Sequence, residues 1–321
     1  MASQAQTNIG KVLGTIILIL SLATASKINE EEEPRCPVSV NPCSCDVRMS
    51  DIIIKCVGIY GTDLQIAMTS LKGIEIHELS ISDSDISNFE REWLEDTIIL
   101  HLTATNVSIT VEKDEPTPFY YLSSIIKGIY LSDVRVTGGM TNLGLSNLEK
   151  LSMLYIINSN LESVSKTLLP SSLELLVLQN NKIKILEAGT FGTLEKLISL
   201  SVRQNLLEYI ERNVLPEQTS LEYLEISDNR LRGFSPDFFT NMPNLKVIRA
   251  SNNDIKFLQE EVWSDVWTNL KIIDINGNPL VCNWTLSWIF DLGLPKDIVG
   301  TCAEPENLKG MSLKALSKND L

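Results

Sequence analysis

From Leu173 onward, the chain repeats one arrangement of hydrophobic and polar positions. Segments that begin at Leu173, Leu197, Leu221, Leu245 and Leu270 fit L-x-x-L-x-L-x-x-N-x-L, with isoleucine, valine or alanine at some apolar places. Apolar residues at places four and six alternate along a short strand and point to one side. One turn cannot bury that side alone, so the repeat predicts a solenoid whose strands stack in parallel.

An asparagine fills the ninth place of all five segments: Asn181, Asn205, Asn229, Asn253 and Asn278. We predict that its amide points inward and satisfies backbone groups of the bend, because leaving such groups unpaired costs about 1–3 kcal/mol each. This asparagine ladder is therefore predicted to be structural. Aromatic residues recur eighteen places after three of the starts and are predicted to pack on the convex side: Phe191, Phe239 and Trp263.

Upstream, the pattern continues in a weaker form. Four earlier turns are predicted to start near Ile76, Thr97, Ile126 and Leu151. Other residues then take the asparagine place: Ser84, Thr105, Val134 and Ser159. Residues 112–121 contain two prolines and predict a looped excursion between two turns. The sequence thus predicts about nine turns.

The N-terminal region predicts export. Lys11 precedes the apolar run VLGTIILILSL, and the small-residue pattern at 23–25 favours cleavage after Ala25. We expect a signal peptide at 1–25, an acidic lead-in at 26–35 and a secreted, extracellular protein without a membrane span. An uncleaved signal anchor is the alternative.

Charge and sequons agree with that compartment. The formal net charge is −14, which disfavours binding to nucleic acid or to an anionic membrane. Asn106 and Asn283 each begin a glycosylation sequon. We therefore expect an extracellular glycoprotein.

Six cysteines frame the repeats: Cys36, Cys43, Cys45, Cys56, Cys282 and Cys302. In an exported chain, an even number predicts disulfides. Four of them precede the first turn and two follow the last one, where a solenoid must cover the ends of its core. A zinc site in the first four is the alternative, which the oxidising compartment and the lack of a nearby histidine disfavour.

Together, the repeat and the cysteine clusters resemble the secreted leucine-rich repeat proteins with cysteine-rich caps. The resemblance implies an α/β solenoid, a horseshoe with a parallel concave β-sheet. It implies a cap at 36–75, repeats at 76–277 and a second cap at 278–321. It also implies the pairs Cys36–Cys45 and Cys43–Cys56.

The C-terminal cap departs from that family. Where the family has four cysteines, this chain keeps the first and the third, and Trp284 stands in place of the second. The resemblance then implies one disulfide, Cys282–Cys302. We expect Trp284 and Trp288 to pack against the last turn.

The two histidines are the candidates for chemistry. His101 is predicted to face outward at place five of a concave strand, with His77 on the turn before it. With Glu78 or Asp83 they could form a metal site or a proton relay. Two ordinary surface histidines are the competing interpretation. No hydrolase, phosphate-loop or dinucleotide motif is present, so we expect no enzyme activity and no cofactor.

The predicted concave face carries the candidate binding residues. Place five reads Ser80, His101, Tyr130, Tyr155, Val177, Ser201, Glu225, Arg249 and Asp274. Place three adds Met153, Leu175, Tyr223, Val247 and Ile272. An aromatic and apolar centre beside a charged end, which includes Arg203 and Glu222, has the composition of a protein interface. An ordinary solvated sheet is the alternative.

The resemblance implies a non-enzymatic module that binds an extracellular protein partner, as a recognition or partner-stabilising subunit. In overall plan the chain is similar to arthropod proteins such as the non-catalytic leucine-rich repeat subunit of the Oplophorus luciferin 2-monooxygenase. One alternative is a matrix or adhesion protein that forms a homodimer by homophilic contact. Another is a weak metal- or ligand-dependent activity around His77 and His101.

Overall fold

A parallel sheet carries the turns of the repeat through the described part of the chain. The computed structural model describes residues 35–37, 39–87, 91–111 and 117–321. The predicted signal peptide lies outside these residues, and so does the acidic lead-in except for Arg35. Residues 112–116 of the loop predicted at 112–121 also lie outside them.

Within the described residues, the main sheet has 13 strands. Strand β1 (Ser44–Arg48) pairs antiparallel with β2 (Asp51–Val57), and the later strands are parallel. They are β3 (Glu75–Ile86), β4 (Ile98–Ile109), β5 (Gly128–Ser132), β6 (Arg135–Val136), β7 (Met153–Ile157), β8 (Leu175–Val177), β9 (Ser199–Ser201), β10 (Tyr223–Glu225), β11 (Val247–Arg249) and β12 (Ile272–Asp274). Strand β14 (Asp297–Val299) ends the sheet, and β6 pairs only with β4. Thus β2 and β14 add one parallel strand at each end of the nine predicted turns.

The remaining elements are short. Strands β13 (Leu280–Val281) and β15 (Cys302–Glu304) form a separate pair. In the described ranges, the helices are α1 (Gly61–Thr69), α2 (Glu260–Trp267) and α3 (Trp288–Leu292). Single 3₁₀ turns lie at Arg91–Leu94, Tyr120–Leu122, Met140–Leu143, Leu145–Asn147, Arg212–Val214, Trp284–Leu286 and Lys318–Asp320.

The core lies behind the sheet and is continuous from turn to turn. Leu176, Leu200 and Leu224 stand opposite one another on neighbouring strands, and each is at most 3% exposed. The predicted convex aromatics Phe191, Phe239 and Trp263 are all fully buried. The predicted α/β solenoid with a parallel sheet is confirmed.

The asparagine ladder has the predicted structural role. The Asn205 side chain donates to Leu178 O (2.8 Å) and Val202 O (3.0 Å), and it accepts from the Ile183 N–H (3.0 Å). Equivalent bonds hold the other four members: Asn181, Asn229, Asn253 and Asn278. Where serine takes the place, two bonds survive: Ser84 Oγ accepts from the Ile59 N–H (3.1 Å) and donates to Ser82 O (2.6 Å).

The predicted frame of the second turn was wrong by two residues. Strand β4 pairs with β3 so that His101 lies opposite Glu78 and Thr103 opposite Ser80. The turn therefore starts at Ile99, and Val107 takes the asparagine place that we assigned to Thr105. A strand repeats every two residues, so a slip of two keeps the same face inward and leaves the apolar alternation almost unchanged.

Both caps contain the disulfides that the resemblance implied: Cys36–Cys45, Cys43–Cys56 and Cys282–Cys302. Trp288 is buried against the last turn, as expected. The expectation for Trp284 was wrong, because its side chain is 74% exposed. It begins a short 3₁₀ turn whose apolar contact with the core comes from Leu286 instead.

Candidate protein-binding face

Strand pairing sets the outward residues of the concave face into two columns. At place five, Tyr130 lies opposite Tyr155, and the column continues as predicted through Val177, Ser201, Glu225, Arg249 and Asp274. The corrected frame removes His101 from this column and puts Thr103 there. His101 belongs to the place-three column, between Glu78 and Gly128.

The centre of this face is aromatic and uncharged. The rings of Tyr130 and Tyr155 have centroids 5.5 Å apart, and Met153 lies opposite Leu175 on the neighbouring strand. All four side chains are half-buried. Burial raises the pKa of both tyrosines, so the phenols are neutral at physiological pH.

Further along, a hydrogen-bonded network fixes the charged end. The Tyr223 hydroxyl donates to Glu225 Oε2 (3.3 Å), while Glu225 Oε1 accepts from the Ser227 N–H (3.0 Å). Burial, followed by the Glu225 charge, raises the pKa of Tyr223 to about 12. The Arg249 guanidinium carbon lies 5.8 Å from the centre of the Tyr223 ring, within the range of a cation–π contact.

The cations at this end differ in how far they are already paired. Arg203 Nε is 2.8 Å from Asp228 Oδ2, and Asp274 accepts the Asn276 N–H. Arg249 is exposed, and the described part of the chain gives it no ion pair. Arg249 is therefore the cation of this face that is most available to a partner's carboxylate.

The histidines lie close together at the other end of the face. Their ring centroids are 5.1 Å apart, and His77 Nδ1 is 3.3 Å from Asp51 Oδ1, a neighbour that the sequence did not suggest. Glu78 accepts from Thr103, and Asp83 accepts from Asn106. Burial and then the neighbouring His77 lower the pKa of His101. Among the described residues, no three His, Cys, Asp or Glu side chains are grouped as metal ligands would be.

A polar ladder along the rim of the face was missed. The eighth-place residues take the left-handed backbone conformation, with φ of 51–58° across Asp83, Asn106, Asp133, Asn158, Asn180, Gln204, Asp228 and Asn252. Several of these side chains form hydrogen bonds from one turn to the next. Asn252 Nδ2, for example, donates to Asp228 Oδ1 (2.8 Å). The available signal was the run of Asn and Asp at one place, since these residues tolerate that conformation best.

A row of lysines at place two was also missed. Lys246, Lys271 and Lys296 each directly precede a strand whose residues pair in register. Lys246 forms an ion pair with Glu222 (2.8 Å), whereas the structure shows none for the other two among the residues it describes. The row adds positive charge at the edge of the charged end.

The sequons lie in different settings. Asn106 is exposed on the rim, and its Nδ2 donates to Asp83 Oδ1 (2.8 Å). Asn283 is half-buried, and its Oδ1 accepts from the Thr285 N–H (3.0 Å) and hydroxyl (2.6 Å). Glycosylation at both stays a prediction. No helix within the described ranges combines the length and the apolar character needed to cross a bilayer.

Comparison with known proteins finds the same repeat. The leucine-rich repeat family model matches residues 171–231 and 219–280. Toll-like receptor 9 of Mus musculus is 28% identical over 197 residues, covering 59% of this chain and 18% of the receptor. Keratocan of Mus musculus is 30% identical over 158 residues, covering 48% of this chain and 44% of keratocan. This chain therefore matches less than half of either relative's length.

A solved structure shares the fold over a longer stretch. A chain from the octameric complex of latrophilin 3, Unc5D and FLRT2 (LRR) superposes with a TM-score of 0.62. It is 20% identical, and the match covers 88% of this chain and 98% of the other. This likeness concerns the fold alone.

Proposed function

We propose that this chain, a leucine-rich repeat protein, is a secreted, non-enzymatic subunit that recognises and stabilises an extracellular protein partner on its concave face. One observation carries the proposal. The neutral pair Tyr130 and Tyr155 shares a rigid sheet with the exposed guanidinium of Arg249, to which the described residues give no ion pair.

Each part has a physical role in binding. Tyrosine and arginine dominate the energetics of protein interfaces, because they bury a large area and still offer polar groups. Met153 and Leu175 extend the apolar area beside the tyrosines. Arg249 gives the partner one defined orientation by attracting a carboxylate. The strands hold the backbones of these residues in place before binding, which reduces the entropy that association costs.

The similar proteins support a binding role. One of them comes from a complex of several proteins, and another is named as a receptor. We also propose that the chain stabilises a catalytic partner, which is the role of a non-catalytic luciferase subunit. We assign no metal- or ligand-dependent activity to the histidine pair.

The test is a pull-down of the tagged mature protein from its source fluid. The concave variant combines Tyr155→Ala with Arg249→Ala. The control variant combines Tyr120→Ala with Lys309→Ala, which removes one exposed tyrosine and one exposed cation outside the concave columns. We expect a stoichiometric partner that the control retains and the concave variant binds at least about a hundredfold more weakly.

Thermal unfolding must first show that both variants fold like the parent. Equal capture by both variants would reject the concave face as the binding surface. A sample that contains only dimers of this chain would favour the homophilic alternative instead.

A further inference from the structure

A second surface lies on the flank of the solenoid, just beyond the asparagine bend. Counted from the later repeat starts, places eleven and fourteen are buried, while places ten, twelve and thirteen face outward. Main-chain hydrogen bonds keep neighbouring turns in register here, from the Leu206 N–H to Ile183 O (2.9 Å) and from the Asp254 N–H to Leu231 O (2.9 Å). Side chains at the same place therefore form rows across four turns.

These rows combine positive charge with exposed apolar groups. We call them the flank stripe, which consists of Lys182, Lys184, Ile185, Tyr209, Arg230, Arg232, Lys256 and Phe257. Ile185 is 70%, Tyr209 46% and Phe257 48% exposed. The same rows contain two carboxylates, Glu208 and Asp254. Five cations thus lie together on a chain whose net charge is −14.

A notch divides the apolar row. Gly233 takes place thirteen between Tyr209 and Phe257, and a Cβ built on it would meet no atom within 4 Å. Since neighbouring turns are about 5 Å apart, the two aromatic residues are separated by about 10 Å. That gap admits one apolar side chain. Arg232 precedes the glycine and holds Glu208 at 3.5 Å in an exposed ion pair, which a competing carboxylate can replace at little cost.

We propose that the flank stripe binds an acidic segment of a protein partner, with one apolar side chain of that segment in the notch at Gly233. The row of cations selects a chain of carboxylates. Burial of the exposed Ile185, Tyr209 and Phe257 contributes favourable binding free energy only when the partner also carries apolar groups. A sulfated polysaccharide offers no aliphatic side chain for the notch. An anionic bilayer is repelled by the negative charge of the rest of the chain.

The probe is a fluorescein-labelled peptide with glutamate on both sides of a central leucine, measured by fluorescence anisotropy with the mature protein. We expect binding that weakens as salt rises. Exchanging the leucine for glycine should weaken binding about tenfold, since the buried side chain supplies the difference. Combining Arg232→Glu with Lys256→Glu should weaken it at least as much.

Gly233 offers a matched pair of variants. It does not have a positive φ, and the space beside it is open, so Gly233→Ala and Gly233→Leu should both fold. Gly233→Leu fills the notch and should abolish the preference for leucine in the peptide, whereas Gly233→Ala should retain it. The concave variant, Tyr155→Ala with Arg249→Ala, should bind the peptide normally.

Three results would overturn the proposal. The first is no binding of the acidic peptide, whether or not phosphatidylserine vesicles capture the protein. The others are equal binding of a lysine-based peptide, and binding that neither the charge reversals nor Gly233→Leu changes. Because the concave variant is assayed separately, failure here is distinct from failure of the proposed function.

Discussion

The indole N–H of Trp288 donates to the main-chain carbonyl of Leu258 at 2.9 Å and joins the C-terminal cap to the turn before it. The Trp288 ring also meets Trp267 edge-on, with centroids 4.8 Å apart. Its side chain is 4% exposed. One residue thus gives the cap both an apolar contact and a buried hydrogen bond.

This contact predicts a large difference between two tryptophans of one cap. Trp288→Ala should lower the free energy of unfolding by about 3–5 kcal/mol, because it leaves a cavity and an unpaired carbonyl. Trp284→Ala should change it by no more than about 0.5 kcal/mol, since that ring is in solvent. Urea unfolding followed by circular dichroism measures both. Similar losses for the two variants would mean that Trp284 also packs on the fold.

The asparagine ladder predicts a second contrast. Asn205→Ala leaves the Ile183 N–H without its partner, whereas the carbonyls of Leu178 and Val202 keep a donor from the neighbouring asparagines of the ladder. We expect it to lower the free energy of unfolding by about 1–3 kcal/mol, which is the cost of one unpaired buried donor. Asn276→Ala, at an exposed place of another turn, is the control and should be nearly neutral. Equal stabilities would show that water replaces the Asn205 amide.

The later turns could be predicted because two independent signals agreed there. The ninth-place asparagine must be asparagine to satisfy three backbone groups at once, and it fixes the frame of each turn. At the second turn Val107 stands in that place, so only the apolar alternation was left. That alternation cannot detect a slip of two residues, and His101 was therefore assigned to the wrong column.

The outward residues were harder to predict than the core. The concave columns follow from the repeat once the frame is known, and so Tyr130, Tyr155 and Arg249 were found. The flank stripe was not, because its places follow the bend and lack strand alternation. Trp284 and Trp288 are the same residue type in the same short segment, so the sequence pattern does not distinguish them. Only the helical geometry of the cap decides which one points inward.

The disulfide of the C-terminal cap predicts a graded loss of stability. Cys282 and Cys302 are 20 residues apart, whereas Cys36 and Cys45 are 9 residues apart. In the chain-entropy account, the longer loop restricts the unfolded state more. Replacing Cys282 and Cys302 by serine should therefore lower the unfolding free energy by about 3 kcal/mol. Replacing Cys36 and Cys45 by serine should lower it by less. Differential scanning calorimetry of the two double variants measures the order, which a larger loss for the shorter loop would contradict.

The lowered pKa of His101 predicts a loss of stability in acid. In the unfolded chain this imidazole takes up a proton near its ordinary pKa of 6.5, whereas the folded protein delays protonation because the ring is buried beside His77. The unfolded state then binds more protons than the folded state, so stability rises with pH in this window. The contribution is complete above the ordinary pKa and is lost as pH falls through the lower, folded one.

Urea unfolding at a series of pH values from neutral to mildly acidic measures this effect. His101→Gln should remove part of the loss of unfolding free energy at acidic pH, because glutamine does not titrate. The control is Glu306→Gln, since that carboxylate is highly exposed and lies in the opposite cap. Nuclear magnetic resonance titration of the imidazole resonances gives an independent reading, in which His101 should protonate below its ordinary range. A His101 resonance that titrates above that range would contradict the buried placement of the ring.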